Sequence, residues 1–171
     1  IHRNASRLIR LINDILQLSE LDTRETALET ERLNLYGLAY TCVEMLKIHA
    51  EPNGVRLKIH GGASWIEGNR VMIEELLYNL CSNAIRYNKQ NGTVDVSVEK
   101  TEDGVLLKVA DTGIGIPKHH QERIFERFYR VDKSRSKERG GTGLGLAIVK
   151  HIVAEHGASI SVESEEGIGT A

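Results

Sequence analysis

Val94, Val96 and Val98 alternate with polar residues across residues 93–99, Thr101-Glu102-Asp103-Gly104 supplies a turn, and residues 105–110 return as a second apolar strand. Two strands joined so closely must pair as an antiparallel hairpin. Amphipathic helical patterns lie on both sides of it, at residues 35–50, 69–87 and 144–156. A hairpin among helices excludes an all-parallel, doubly wound sheet, and the class expected is α+β: a two-layer α/β sandwich, one mixed sheet covered by helices on one face.

Shorter segments complete this reading. Residues 31–35 and 55–60 are expected as strands, Pro52-Asn53-Gly54 closes the 35–50 helix, and Gly61-Gly62 breaks the strand before it. Pro117 stands where a helix begins, Gly157 ends the 144–156 helix, and residues 159–164 are expected as a further strand. At 171 residues the chain accommodates one domain and a short appendage. The boundary is placed near residue 28: residues 1–27 hold one helix and a polar connector, and residues 28–171 the main domain. In the first helix Ile1, Leu8 and Ile15 recur at seven with Leu11 and Leu18 between them, so it either packs on its own domain or forms one arm of a bundle. The pattern opens without a capping residue, which points to a larger protein cut inside a helical region.

The formal net charge of −2 gives no global reason to expect nucleic acid as a partner. Cys42 and Cys81 sit among apolar neighbours without a C-x-x-C pattern, so buried free thiols are expected rather than a disulfide or a metal site. No run approaches the ~20 apolar residues of a membrane span.

Chemistry concentrates in three places. In the 69–87 helix, Glu75, Asn79, Asn83 and Arg86 form a polar stripe opposite Leu76, Leu77, Leu80, Ala84 and Ile85. Asparagine is a mediocre helix former, and its carboxamide oxygen is a good neutral ligand for Mg²⁺; a solvated face is the alternative. Second, Asp111-Thr112-Gly113-Ile114-Gly115-Ile116 puts a carboxylate at a strand end, able to accept a hydrogen bond from an adenine amino group, where Gly113 and Gly115 admit the base to the backbone. Third, Gly141-Thr142-Gly143-Leu144-Gly145-Leu146 leads into a helix whose free N–H groups favour phosphate. It lacks the Gly-Lys-Ser/Thr of a Walker loop. Between the glycine clusters lie Arg123, Arg127, Arg130, Lys133, Arg135, Lys137 and Arg139 with Phe125, Phe128 and Tyr129, which read as a lid able to hold a γ-phosphate.

Taken together, these motifs resemble the ATP-binding catalytic domain of bacterial sensor histidine kinases of two-component systems, on the Bergerat fold shared with gyrase, Hsp90 and MutL. Asn79 to Tyr87 resembles the N box, Asp111 to Ile116 the G1 box, Phe125 to Arg130 the F box and Gly141 to Leu146 the G2 box. Residues 1–22 resemble the second helix of the dimerisation and phosphoacceptor domain. The resemblance implies that Asn83 is the Mg²⁺ ligand, that Asn79 and Arg86 serve phosphates or metal-bound water, that Tyr87 lines the site, and that Asp111 reads adenine beside Gly113, Gly115 and Ile116. Tyr129, Arg130 and Lys133 in the lid, and Gly141, Thr142, Gly143, Leu144, Gly145 and Leu146 in the cradle, would contact the nucleotide. It implies ATP and Mg²⁺ as cofactors, and the phosphoacceptor helix of the same protein, in a homodimer, and a response-regulator receiver domain as partners. The domain would be cytoplasmic, in a parent anchored in the bacterial inner membrane.

Relatives that hydrolyse ATP place a general-base Glu where this chain has Asn79, an amide that cannot take a proton from water. That favours phosphoryl transfer over hydrolysis. A Bergerat-type ATPase and a non-enzymatic nucleotide-binding or dimerising module are the alternatives. The family's phosphoacceptor motif is absent, since His2 lacks its acidic and proline context; the last strand stops short of the family pattern; and Arg86 replaces the family's commoner lysine.

Overall fold

A computed structural model of the chain describes Ile12 and residues 28–131 and 141–171. The helix expected over residues 1–22 and the connector after it lie outside the described residues, Ile12 apart. From residue 31 the order is β1 (Glu31–Asn34), α1 (Leu35–Ala50), a single 3₁₀ turn (Glu51–Asn53), β2 (Arg56–Gly61), β3 (Trp65–Gly68), α2 (Arg70–Arg86), β4 (Thr93–Thr101), β5 (Gly104–Asp111), α3 (Lys118–Gln121), α4 (Gly145–Glu155), β6 (Ser164–Glu165) and β7 (Gly169–Thr170).

The main sheet runs in the order β2-β4-β5-β7-β6. β2 lies parallel to β4, and the other pairs are antiparallel, so the sheet is mixed as expected. The hairpin closes with Thr101 opposite Gly104 and sets Val94 opposite Asp111. Because side chains alternate across a strand, Val94, Val96 and Val98 enter the core together, while Asp95 and Ser97 turn to the other face. On that open face the exposed His60 of β2 meets Asp95 at 3.1 Å. Helices α1, α2 and α4 cover the opposite face, and Leu33, Val43, Leu77, Leu144, Ile148 and Ile152 fill the layer between.

Cys42 of α1 and Cys81 of α2 are buried and free. Their thiols hydrogen-bond to each other, a contact that lowers the Cys42 pKa and, with burial, pushes the Cys81 thiol far above its usual range.

Two differences from the sequence reading stand out. β3 was not expected; it pairs with β1 in a separate antiparallel ribbon, Glu31 opposite Gly68 and Asn34 opposite Trp65. The strand expected over residues 159–164 is confined to Ser164–Glu165. Its short partner explains this: β7 offers a ladder only from Glu163, which exchanges both backbone bonds with Ala171 (2.9 and 2.8 Å).

Candidate functional site

Helix α2 carries the core on one side and the amide stripe on the other. Asn69 starts it, its Oδ1 accepting from Met72 N at 3.1 Å. The backbone N–H of Asn69 donates to His156 Nε2 (3.0 Å), and His156 Nδ1 donates to Ile152 O (2.7 Å). The imidazole thereby joins the start of α2 to the end of α4 and holds the two helices in register. Met72, Ile73, Leu76, Leu77, Cys81, Ala84 and Ile85 are buried, whereas Asn79, Asn83, Arg86 and Tyr87 are half-buried on the facing side.

The start of α4 comes down on that stripe. A Cβ at Gly145 would lie 2.8 Å from Asn79 Oδ1 and 3.9 Å from Asn83 Nδ2, and one at Gly141 would lie 3.2 Å from the Tyr87 hydroxyl and 3.6 Å from Arg86 Nη1. A side chain at Gly145 would push the Asn79 amide aside, so glycine there lets backbone and amide approach closely. Leu144 caps α4 without a side-chain hydrogen bond, no acidic residue stands in the first turn, and Thr142 Oγ1 reaches Leu144 N only at 3.4 Å. The first-turn N–H groups of α4 have no intrahelical acceptor, so a positive helix end faces the two asparagines. The Leu144 side chain is fully buried in the core, which leaves its backbone as the part able to meet a ligand.

Asp111, the last residue of β5, lies opposite Thr170 of β7 and accepts from Gly113 N at 2.7 Å. Burial raises its pKa above the ordinary carboxylate value, against the opposing pull of the Gly113 and Thr170 N–H groups. The loop beyond it is wedged on two sides. Ile114 N donates to Tyr87 O (3.1 Å), and a Cβ at Gly113 would lie 2.5 Å from that same carbonyl. On the other side Gly115 takes φ +67°, with its Cβ position 2.0 Å from Glu165 O, and Gly167 N donates to Ile114 O (2.8 Å). Asn88, nearly buried, ties the loop to β4 through Thr93 O (2.9 Å), while Thr112 Oγ1 accepts from Thr93 N (2.9 Å).

The lid side is built differently. α3 is a single turn, and the Tyr129 ring lies under the Arg123 guanidinium at 4.2 Å with its hydroxyl on His120 Nδ1. Tyr129 is thereby held by Arg123 and His120 at the foot of the lid. Phe128 is exposed and held at φ +63°, rare for a bulky residue, and donates its N–H to Gly143 O at 2.9 Å. Arg130 presents Nε and Nη2 buried without a hydrogen-bond partner among the described residues. Lys133 lies outside the described residues.

Asn79, Asn83, Arg86, Tyr87, Gly141 and Gly145 therefore meet on one side, and Asp111, Gly113, Gly115 and Ile116 gather beside Tyr87. The arrangement offers what a nucleotide needs: an uncapped helix end, amides beside it and a carboxylate at the other end. The family described as Histidine kinase-, DNA gyrase B-, and HSP90-like ATPase matches residues 68–171, from the start of α2 through β7. The chain belongs to this family.

Within it the chain falls among sensor histidine kinases, as an ATP-binding catalytic domain. It is 38% identical over 167 residues to the sensor histidine kinase WalK of Bacillus subtilis, covering 96% of this chain and 27% of WalK. Full-length ShkA, solved in complex with AMPPNP, superposes with a TM-score of 0.83 at 28% identity, covering 95% of this chain and 34% of that one. The nucleotide-free catalytic domain of the histidine kinase ThkA superposes at 0.71 and 28% identity, covering 83% of this chain and 91% of that one; ThkA has also been solved in complex with the response regulator protein TrrA. The chain thus spans about a quarter of WalK and a third of ShkA. Among the described residues no helix is long and apolar enough to cross a membrane.

The sequence reading missed Asn88, Gln121, Ser164 and His156. Gln121, Ser164 and His156 act by hydrogen bonds to backbone 43 to 87 positions away, whereas Asn88 reaches Thr93 O only five residues on; of the four only His156, at a helix end beside Gly157, carried any local signal.

Proposed function

We propose that this domain holds Mg-ATP between α2 and the 116–143 segment and donates the γ-phosphoryl group to a histidine on a neighbouring helix of its parent protein, from which an aspartate of a response regulator receives it. The observation that carries this reading is the uncapped start of α4 over Asn79 and Asn83, with no acidic residue in its first turn to compete for an anion.

The residues fit a divalent cation. Among the described residues no group of three or more His, Cys, Asp or Glu could hold one, so the protein donors would be neutral carboxamide oxygens. That suits Mg²⁺, which keeps several waters and binds mainly through substrate phosphates. Asn83 would hold it, with Asn79 orienting a coordinated water or phosphate oxygen. When bound, the ion would neutralise charge on the phosphates. Arg86, beside Gly141, would steady a phosphate oxygen, and Arg130, with two unpaired nitrogens, is suited to charge gathering on the γ-phosphoryl group. In the transfer the bond from the γ-phosphorus to the bridging oxygen breaks, a bond to an imidazole nitrogen forms, and ADP leaves.

Asn79 supports transfer over hydrolysis, because its amide cannot deprotonate a water. The ThkA–TrrA complex supports a response regulator as the downstream partner. We place the domain boundary near residue 28, assign residues 1–27 to a dimerisation helix and its linker, and place the domain in the cytoplasm, its parent anchored in the inner membrane.

Calorimetric titration of ATP, with and without Mg²⁺, into the wild type and Asn83→Ala tests the site. Tight binding that needs Mg²⁺ and is lost in the variant is expected. Phosphate transfer to an added helix bearing the acceptor histidine, with negligible ATP turnover in its absence, is the expected second result; steady turnover by the domain alone would point to an ATPase.

A further inference from the structure

Both backbone groups of Ile116, where the Asp111 loop passes into the lid, are held by side chains that no motif includes. Ile116 N donates to Ser164 Oγ at 2.8 Å, and Ile116 O accepts from Gln121 Nε2 at 2.8 Å. The same Gln121 amide donates to Ser164 O at 2.7 Å. Ser164 is itself fixed, its hydroxyl bonded to Gly169 O (2.9 Å) and to Thr170 Oγ1 (2.8 Å). Gln121 closes α3, the turn that opens the lid, so one carboxamide joins three pieces of chain: the lid base, the loop after Asp111 and the β6–β7 hairpin. Thr170 is also the residue opposite Asp111 across β5 and β7.

We infer that Gln121 is a positioning residue for base recognition, fixing the 113–116 loop and the β6–β7 hairpin against Asp111 so that the adenine end of the site is set before nucleotide arrives. This rests on the proposal that Asp111 reads the adenine amino group. Two donated bonds from one side chain, both to backbone carbonyls, define the separation of loop and hairpin, and Asp111 takes its own backbone donors from Gly113 in the one and Thr170 in the other. Without the Gln121 donors the loop still reaches the hairpin through Ile116 N on Ser164 Oγ and Gly167 N on Ile114 O, but its spacing is set less tightly, and discrimination between bases falls because Asp111 is held less firmly in line.

The test compares Mg-ATP with Mg-ITP, which has a carbonyl where ATP has the amino group, by calorimetric titration into the wild type, Asp111→Asn and Gln121→Leu. Leucine keeps the volume and removes both donors. The wild type is expected to prefer ATP, Asp111→Asn to lose that preference, and Gln121→Leu to reduce it by about three- to tenfold, the range set by a lost hydrogen bond. A Gln121→Leu protein that keeps the wild-type ATP-to-ITP ratio, even with both affinities lowered in parallel, overturns the inference and leaves a merely structural residue. If the wild type itself does not prefer ATP, the adenine reading fails and the inference falls with it.

Discussion

The two ends of the cradle are made in opposite ways. At the base end nearly every polar group has a partner: Gly113 N, Ile114 N and both backbone groups of Ile116 are bonded within the protein. At the phosphate end the start of α4 is uncapped, and in the lid Arg130 Nε and Nη2 have no hydrogen-bond partner among the described residues. Buried polar groups left unpaired cost stability, so a fold retains them where a ligand satisfies them. A shape that must recognise a base is built in advance, whereas a place that must receive shifting charge is left unsatisfied until that charge comes.

Substitutions can break or sharpen this contrast. The largest effect is expected from Gly115→Ala, because φ +67° and a Cβ 2.0 Å from Glu165 O cannot both be accommodated; urea unfolding should show a loss of about 2–4 kcal/mol. A loss under about 0.5 kcal/mol would mean that the base end yields as readily as the lid.

Asp111→Asn should separate stability from function. The folded-state pKa of Asp111 is raised, chiefly by burial. Its ionised form therefore burdens the fold: the burden is absent below the unfolded-state pKa and grows as pH rises through the folded one. At pH 7 the neutral variant should be as stable as the wild type or more so, its advantage shrinking as the solution is acidified, while ATP affinity falls about 10- to 100-fold through loss of a charged acceptor. Thermal melts across the acid range, with nucleotide titrations at pH 7, check both halves.

Arg130→Met tests the other end. Among the described residues the guanidinium has no partner to lose at Nε or Nη2, so stability should hold while ATP affinity falls about three- to tenfold and ADP affinity changes less. Equal losses for the two nucleotides would place Arg130 away from the γ-phosphate. The smallest effect is expected from His120→Phe, which keeps a ring and removes the bond to Tyr129 at the lid base: less than about a twofold change in ATP affinity, the scale of one partly solvated hydrogen bond.

How much of this was legible in the sequence follows the same division. The hairpin, α1, α2 and α4 came from periodicity and caps, because Val94, Val96 and Val98 or Leu76 and Leu77 report their surroundings through spacing alone. β3 was hidden: Trp65–Gly68 is short and exposed at Trp65, and it exists as a strand only because β1 pairs with it. Residues 159–164 erred the other way: apolar alternation whose pairing begins only at Glu163 and Ser164. In the site, Asn79, Asn83 and Asp111 were visible because an amide in a helix interior and a carboxylate before glycines are locally odd. Gln121 and Ser164 are ordinary residues in ordinary places, and their use comes from a meeting 43 residues apart in the chain.

That separation has a consequence for the order in which the domain is made. Ser164, which holds Ile116 N, and Thr170, which stands opposite Asp111, belong to the β6–β7 hairpin, Ser164 lying 48 positions after Ile116. A chain leaving the ribosome can form α1, α2 and the β4–β5 hairpin well before then, each from nearby contacts. The nascent protein can therefore have its asparagine helix formed while the loop after Asp111 still lacks Ser164 and Thr170, and that end of the site is completed only as residues 164–170 emerge.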